Sequence, residues 1–410
     1  MKNLVSFVQE HLEDDVTRLI LDRAKWPEID MEIAAACIES RRKLRNKVQE
    51  WYANPELVFP VRLSAEQCSS TATGLYKSAL AERIADRKQF TLADLTGGLG
   101  VDSWFFSKKA GRVLYNEMQK PLCEAAEHNF KVLGSDNIVI SHNIASIETI
   151  DALLGGFYPD IIYLDPARRG EGGRKVFLIE ECTPDVLGLK ESLFKHARHI
   201  LLKLSPMADI SMVCSRLGET CRQVHIVATG GECKELLIWM DREWNAEYSI
   251  HAVELPADYP SSEPELFTFR PSQEKETASV ISDISSHSYL FEPGKALMKA
   301  GAYNLIAQRL GLSKPGRSTH YYTFVNEEMI PVLKGLGKVY RIMSCEPLDK
   351  RTVKAAGKAY PKAEVTARNI PMDTDTLRKK LGITSGDDAH IFGLKSDMAG
   401  NLLLCTKRVF

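Results

Sequence analysis

Two polar stretches follow apolar runs in the sequence, and their residue types are those that hold nucleotides. In DLTGGLGVD an acid at Asp94 precedes Gly97, Gly98 and Gly100, and the next apolar run ends at Glu117. A glycine turn between a strand and a helix brings backbone N–H groups and a helix N-terminus close to a ligand. A carboxylate about 20 residues further on accepts hydrogen bonds from ribose hydroxyls. The pattern therefore predicts a nucleotide site at the ends of two strands.

The residues around the glycines distinguish between classes of nucleotide. The dinucleotide fingerprint G-x-G-x-x-G fails because Ser103 occupies its third glycine position, and no G-K-[ST] of a P-loop follows. A diphosphate would be repelled by Asp94, whereas the ammonium of a methionine group would be attracted. These residues favour S-adenosylmethionine over NAD, and a glycine turn without a ligand is the alternative.

A third polar stretch, DPARRG, ends the apolar run DIIYL. It places Asp165, Pro166 and Arg168 at the carboxyl end of a predicted parallel strand, which is where open α/β sheets bind ligands. We predict that this stretch faces the reacting groups. A carboxylate at Asp165 that only caps backbone N–H groups is the alternative.

The apolar pattern indicates which elements position these residues. Residues 1–80 space their apolar side chains as amphipathic helices do. From residue 88 onward the apolar runs are short and continuous, as in parallel strands buried on both faces: FTLADL, RVLYNE, NIVISHN, DIIYLDP, HILLKLSP, VHIVATG and ELLIWM. The last two, joined by GGECK, indicate a hairpin. We therefore predict a Rossmann-like α/β domain with a seven-stranded sheet over residues 81–245.

These motifs resemble those of the class I S-adenosylmethionine-dependent methyltransferases. DLTGGLGVD is similar to their glycine motif, Glu117 to their second acidic motif, and the seven runs with a terminal hairpin to their sheet. The resemblance implies that Glu117 binds the ribose and that Met118 packs on the adenine. It places Asn143, where Asp is commoner, and Ile144 beside the adenine amino group. It assigns the methionine and ribose moieties to Asp94, Thr96, Gly97, Gly98 and Gly100.

The DPAR stretch resembles the D-P-P-x tetrad of nucleic-acid methyltransferases, whose loop faces the methyl donor. The resemblance implies Asp165, Pro166 and Arg168 as catalytic residues, with Arg168 in the place of an aromatic that stacks on the base. Members that methylate pyrimidine C5 carry a cysteine nucleophile after the fifth strand, where this chain has Ser205. Serine is a far poorer nucleophile than a thiolate. We therefore expect direct transfer to a base nitrogen or amine.

Two features precede the first strand. The segment AEQCSSTATGLYKS lies where many methyltransferases cover the donor, and a helix cap is the alternative. Its candidates are Gln67, Ser69, Ser70 and Lys77. Residues 41–47 include five Lys and Arg side chains, for which a solvated helix face is the plain interpretation.

The C-terminal region resembles a bacterial methyltransferase group that carries a ferredoxin-like piece and a THUMP-like domain. The resemblance rests on YLFEPGKALMKAGAYNLIAQRLGL and THYYTFV. It implies a linker and ferredoxin-like region over residues 246–315 and a smaller α+β, THUMP-like domain over residues 316–410. THUMP domains bind RNA, and residues 331–380 hold 12 Lys and Arg against 5 Asp and Glu. We expect tRNA or rRNA as the partner, with lysines on solvated helices as the alternative.

Composition excludes several other classes of protein. The 410 residues are 44% hydrophobic and 26% charged, as in soluble multidomain proteins. No run reaches the ~18 apolar residues of a membrane span, and MKNLVSFVQEHLEDD turns acidic too early for a signal peptide. The nine cysteines show no C-x-x-C spacing, which argues against zinc and disulfides.

We therefore expect a cytoplasmic enzyme that uses S-adenosylmethionine and neither a metal nor a membrane. Two alternatives remain open. One is an RNA-binding protein with a retained but catalytically silent donor pocket. The other is a methyltransferase that acts on a small molecule or a protein.

Overall fold

The computed structural model describes residues 2–168 and 179–410, and its contacts divide the chain into two compact units. Unit 1 comprises Met1–Val224 and Lys234–Ala246. Unit 2 comprises His225–Cys233 and Glu247–Phe410.

The N-terminal part of unit 1 is helical, as the apolar spacing predicts. Side-chain caps fix where several helices begin: Asp15 and Asp30 each accept two backbone N–H groups, and Ser70 forms a capping box with Thr73. The helices are α1 (Lys2–Glu10), α2 (Val16–Leu21), α3 (Met31–Leu44), α4 (Gln49–Ala53), α5 (Arg62–Gln67) and α6 (Thr71–Ala85).

The basic run on α3 is not a solvated face. Arg41 is buried and donates to four backbone carbonyls between Tyr52 and Leu57. Arg42 donates to the carbonyls of Leu12 and Asp14. These guanidinium groups satisfy the carbonyls at loop and helix ends, so they hold the helices together.

The remainder of unit 1 is a doubly wound α/β region. Its strands are β1 (Thr91–Asp94), β2 (Arg112–Asn116), β3 (Ile138–Ser141), β4 (Ile161–Leu164), β5 (Ala167–Arg168), β6 (Cys182–Thr183), β7 (His199–Leu204), β8 (Cys221–Thr229) and β9 (Glu232–Asp241). Its helices are α7 (Val101–Ser107), α8 (Lys120–Val132), α9 (Ile150–Leu153), α10 (Val186–His196) and α11 (Ile210–Leu217).

The seven predicted runs form adjacent strands in the order β3-β2-β1-β4-β7-β9-β8, but the sheet contains nine strands within the described residues, so the prediction of seven is two strands short. Pairing is parallel from β3 to β7 and antiparallel between β7 and β9. The order reverses between β1 and β4, so the loops after these strands diverge and leave a crevice. The small antiparallel pair β5–β6 follows β4.

Unit 2 contains strands β10 (Ser249–Leu255), β11 (Glu265–Phe269), β12 (Tyr289–Pro293), β13 (Tyr322–Phe324), β14 (Gly337–Pro347), β15 (Lys362–Arg368), β16 (Thr384–Ser396) and β17 (Gly400–Arg408). Its helices are α12 (Pro271–Glu276), α13 (Lys295–Ala300), α14 (Tyr303–Arg309), α15 (Met329–Leu333), α16 (Lys350–Ala359) and α17 (Thr374–Leu381). Strands β10 and β11 pair antiparallel, and six others form a sheet in the order β13-β12-β14-β17-β16-β15.

Helices α16 and α17 pack against each other in unit 2. Buried Val353 and Ala356 on α16 and Leu377 and Leu381 on α17 share a core with strand residues such as Val365. The other face of α16 stays in solvent. Lysines therefore stand exposed at intervals of four residues on α16, at Lys350, Lys354 and Lys358.

Candidate active site

A cavity of about 640 Å³ opens at the carboxyl ends of β1, β2, β4 and β7. Parallel strands bring residues that are distant in sequence to one edge of the sheet. For this reason the cavity gathers the residues predicted to be catalytic or to bind the cofactor, all but one of which line it: Asp94, Thr96, Gly97, Gly98, Gly100, Glu117, Met118, Asn143, Ile144, Asp165 and Pro166. The exception is Arg168, whose backbone lies in β5 and whose side chain is outside the described part of the structure.

The glycine loop lies close against the residues behind it. A Cβ on Gly97 would come within 2.2 Å of the Tyr115 ring, and one on Gly100 within 2.7 Å of Phe130. Gly100 also has φ +90°, which a residue with a side chain rarely adopts. The Gly97 N–H donates to Asn116 O at 2.8 Å. The glycines therefore leave the cavity side of the loop as bare backbone.

Asp94 is buried within this loop. One carboxylate oxygen accepts from the Thr96 N–H at 3.0 Å, and the other accepts from the Ser103 hydroxyl at 2.6 Å. Burial raises the pKa of Asp94 to about 7, although both hydrogen bonds oppose the rise. Ser103, which breaks the dinucleotide fingerprint, is thus a partner of Asp94. The Asp94 carboxylate thus lines the cavity while both of its oxygens accept hydrogen bonds from the protein.

Glu117 lies at the end of β2 with 7% of its surface exposed. Its Oε2 accepts from the Gly98 N–H at 2.9 Å, and its Oε1 accepts from the Gln119 N–H at 2.8 Å. Each carboxylate oxygen can accept a further hydrogen bond. The arrangement fixes a carboxylate at the cavity wall with acceptor capacity to spare.

Two exposed apolar side chains lie at the edge of the same cavity. Met118 is 53% exposed and Ile144 is 59% exposed. Asn143, which precedes Ile144, lines the same cavity, and its backbone is held by two hydrogen bonds to the Asn116 amide. The Asn143 side chain donates to Ser141 Oγ at 2.8 Å. An apolar surface with an adjacent amide can bind a flat heteroaromatic ring.

Asp165 also lines the cavity. Its backbone N–H donates to Thr96 Oγ1 at 2.6 Å, so the glycine loop and the DPAR stretch are joined directly. One carboxylate oxygen, Oδ2, accepts from the Lys203 ammonium of β7. Lys203 also lines the cavity, and sequence analysis missed it. A lone charge within the apolar run HILLKL was the available signal.

A buried cluster of charged side chains adjoins the cavity. Lys77 has no exposed surface and donates to both carboxylate oxygens of Glu235, at 2.7 and 2.8 Å. The Lys77 ammonium also lies 3.3 Å from Asp102 Oδ1 and donates to Ser69 at 2.9 Å. Glu235 and Asp102 were not predicted. Lys77 and Ser69 were predicted to cover the donor, and the structure places them in this cluster.

Asp102 and Lys203 keep their charges within the cluster, whereas burial raises the pKa of Glu235. Burial alone would raise the pKa of Asp102, but the Lys77 and Lys203 ammoniums and a hydrogen bond from Tyr163 at 2.8 Å outweigh it, so the pKa is lowered. The pKa of Lys203 is raised. Burial opposes that rise, and the neighbouring carboxylates outweigh burial. Both groups are therefore ionised at neutral pH.

The other candidates occupy simpler positions. Ser205 lines the cavity, and its hydroxyl accepts from the Met207 N–H at 3.2 Å. Gln67 ends α5 and also lines the cavity, whereas Ser70 caps α6. Within residues 2–168 and 179–410, no group of His, Cys, Asp and Glu could hold a metal ion. In the same ranges no helix combines the length and apolarity that crossing a membrane requires.

Comparison with known proteins now gives the class of the chain. The crystal structure of a "putative methyltransferase" from Porphyromonas gingivalis W83 aligns with a TM-score of 0.86 and 30% sequence identity, over 100% of this chain and 98% of that one. An rRNA methylase from Streptococcus thermophilus aligns with a TM-score of 0.31 and 11% identity, over 41% of this chain and 96% of that one. No curated protein matches in sequence.

The fold and the cavity thus define a class I methyltransferase architecture. Family models match a ferredoxin-like domain at residues 289–331 and a THUMP domain-like module at residues 337–407. The chain belongs to the family of the P. gingivalis protein, the class I methyltransferases with C-terminal ferredoxin-like and THUMP-like domains.

Proposed function

We propose that the protein transfers a methyl group from S-adenosylmethionine to a base nitrogen or exocyclic amine of structured RNA, such as tRNA or rRNA. The observation that carries the proposal is the single cavity that joins the glycine loop, Glu117 and Asp165. None of the nine cysteines, all of which lie in the described part of the chain, forms a disulfide, which fits a reducing compartment such as the cytoplasm.

The residues of the cavity fit this donor. Bare backbone at Gly97 and Gly100 admits the methionine and ribose portion, and Glu117 accepts hydrogen bonds from ribose hydroxyls. Met118 and Ile144 offer apolar contacts to the adenine faces. When bound, the donor supplies an electrophilic methyl group on a sulfonium. The protein supplies position, which is the main lever for a reaction with a good leaving group.

The acceptor side of the cavity is the DPAR stretch. The Asp165 carboxylate accepts a hydrogen bond from the acceptor N–H, and Pro166 shapes the wall beside it. The nitrogen lone pair then forms the N–C bond as the C–S bond breaks. The Ser205 hydroxyl has no base among its described contacts, which supports direct transfer over a covalent adduct.

The RNA part of the proposal rests on the THUMP-like module and its charge. The exposed row Lys350, Lys354 and Lys358 on α16 neighbours exposed Lys379 and Lys380 at the end of α17. Such ammonium groups bind the phosphates of a nucleic acid whatever its nucleotide sequence. Lysines near the end of α17 also complement the helix dipole, so only a binding experiment separates the two roles.

The substrate class is tested by tritiated methyl transfer. Total RNA from a strain that lacks the gene is incubated with protein and S-[methyl-³H]adenosylmethionine, beside protein and metabolite fractions of the same strain. We expect label in RNA. Label only in protein or metabolites would refute RNA as the substrate, and donor binding without transfer to any fraction would support the silent pocket that Ala167 and Arg168 of the altered tetrad suggest.

The RNA surface is tested by the salt dependence of binding. Four exposed lysines of unit 2 are replaced by Gln: Lys354, Lys358, Lys379 and Lys380. The slope of log affinity against log salt should flatten by up to about three units, because each phosphate contact contributes ~0.7–0.9. Four exposed lysines elsewhere provide the control with equal loss of charge: Lys88, Lys131, Lys195 and Lys275. Equal slopes for both variants would remove the charge argument for RNA.

A further inference from the structure

Lys203 is a largely buried cation in a strand whose other residues, apart from His199, are apolar. Its side chain is 12% exposed, and Leu201, Leu202 and Leu204 around it in β7 are buried. Its ammonium binds Asp165 Oδ2. Among the residues that the structure describes, Asp165 Oδ1 makes no hydrogen bond, and the Asp165 side chain is 36% exposed. One oxygen of this carboxylate is therefore fixed and the other is open to the cavity.

The charged cluster explains why Lys203 stays in place as a cation. Carboxylates from three elements act on it: Asp102 on α7, Asp165 at the end of β4 and Glu235 on β9. Lys77 on α6 pairs with two of these, Asp102 and Glu235. The carboxylates of Asp165, Asp102 and Glu235 outweigh burial and raise the pKa of Lys203. A lysine held in this way cannot serve as a base, and it carries a fixed positive charge beside Asp165.

We propose that Lys203 is a positioning residue: it pins Asp165 Oδ2, and thereby aims Oδ1 at the N–H of the methyl acceptor. The proposal rests on the proposed function and narrows it. An ionised carboxylate oxygen only accepts hydrogen bonds. The preferred acceptor is therefore an exocyclic amine or another nitrogen that bears hydrogen. A hydroxyl oxygen is a poor nucleophile until its proton leaves, whereas an amine attacks with its own lone pair and loses its proton afterwards.

The transfer balances without a further reactant. The lone pair of the amine nitrogen forms the bond to the methyl carbon while the carbon–sulfur bond breaks. The electron pair of the broken carbon–sulfur bond stays on the sulfur, which becomes a neutral thioether. The methylated nitrogen then carries one proton too many. That proton passes to Asp165 Oδ1, which already accepts its hydrogen bond, and from there to water.

The test compares three variants with the wild type: Lys203→Met, Lys203→Arg and Asp165→Asn. Calorimetry measures donor affinity. Turnover is measured with the cellular fraction that accepts methyl from the wild type. Lys203→Met should lower kcat by roughly 100-fold, the cost of a misplaced catalytic group, and leave donor Kd within about twofold. Lys203→Arg should recover most of kcat, because a guanidinium also binds a carboxylate oxygen. Lys195→Met, at an exposed position on α10, is the matched control and should behave as wild type.

A double variant separates positioning from general damage to the fold. Lys203→Met in the Asp165→Asn background should cost little further turnover, because Lys203 acts only through Asp165. Independent, multiplicative losses would overturn the proposal, and so would an unchanged kcat for Lys203→Met.

A spectroscopic measurement covers the case in which Lys203→Met does not fold. The ¹H–¹⁵N signal of the Lys203 ammonium should be protected in the wild type and should shift in Asp165→Asn, while that of Lys77 stays. An unshifted Lys203 signal would refute the pairing. Loss of donor binding, or no transfer to any fraction by the wild type, would instead refute the proposed function and with it this inference.

Discussion

Asp94 should make the free energy of unfolding depend on pH in the direction opposite to that of an acid whose pKa is lowered by folding. Burial raises its pKa from 3.8 to about 7. The unfolded carboxyl ionises from about pH 4, whereas the native one ionises only near pH 7, so the native state holds the proton more tightly in this interval. The free energy of unfolding therefore falls as the pH rises from about 4 to about 7.

The size of this effect follows from the same shift. A rise of about three pKa units, at 1.36 kcal/mol for each, gives about 4 kcal/mol. Asp94→Asn removes the titration and keeps an amide oxygen for the Thr96 N–H and an amide N–H for Ser103. The difference in unfolding free energy, wild type minus variant, should therefore decrease by about 4 kcal/mol over that interval and be flat above about pH 8.

Urea unfolding monitored by tryptophan fluorescence, at steps between about pH 4 and 8, measures this difference. Asp136→Asn, which removes an exposed carboxylate, is the control for the general effect of charge. A difference between wild type and Asp94→Asn that does not change with pH, or that increases as the pH rises, would show that Asp94 is not buried as an acid inside the glycine loop.

Three further results are expected. Glu117→Gln should weaken S-adenosylmethionine binding by about 1.5–3 kcal/mol in calorimetry, since ribose hydroxyls lose a charged acceptor; unchanged affinity would remove Glu117 from the donor site. Ser205→Ala should change turnover only modestly, and abolished activity in a folded variant would revive a nucleophile after β7. Lys77→Met should cost about 3–5 kcal/mol of unfolding free energy because Glu235 is left as a buried unpaired carboxylate. Lys77→Met with Glu235→Leu should recover much of that loss, and no recovery would contradict the pairing.

Thr96 in the glycine loop links Asp94 to Asp165. Thr96 donates its N–H to Asp94 and accepts the Asp165 N–H on its hydroxyl. A change at Asp94 is thus transmitted to the backbone that carries Asp165. We expect Asp94→Asn to lower turnover as well as donor affinity, and the transfer and calorimetric assays above measure the two effects separately.

The sequence alone determined the seven adjacent strands that form the sheet of unit 1 and many of the residues around its cavity, but not the cavity residues Asp102 and Lys203. Continuous apolar runs with intervening helices admit few arrangements other than a doubly wound parallel sheet. The carboxyl ends of such strands meet at one edge. Asp94, Glu117 and Asp165 each follow a run directly, so their proximity follows from the fold class and needs no knowledge of side-chain packing.

Sequence reasoning failed to predict two strand regions whose apolar pattern is weak. Strand β15 has a polar residue at every second position in KAEVTAR, and we did not predict it, although Ala363 and Val365 are buried. The segment predicted as a linker or an irregular strand forms the regular pair β10–β11. In β15 the strict alternation of polar and apolar residues was the signal for a strand. In β10–β11 the neighbouring prolines and serines masked the strand pattern.

Only the tertiary structure decided the roles of the charged residues. Lys77, Asp102, Lys203 and Glu235 come from four elements spread over about 160 positions, and nothing local to any of them marks its partner. Arg41 reads as a surface cation in sequence, yet it is buried because four carbonyls surround it. Apolar periodicity is a local property that a single segment displays. The compensation of a buried charge depends on groups that only folding brings within a few ångströms.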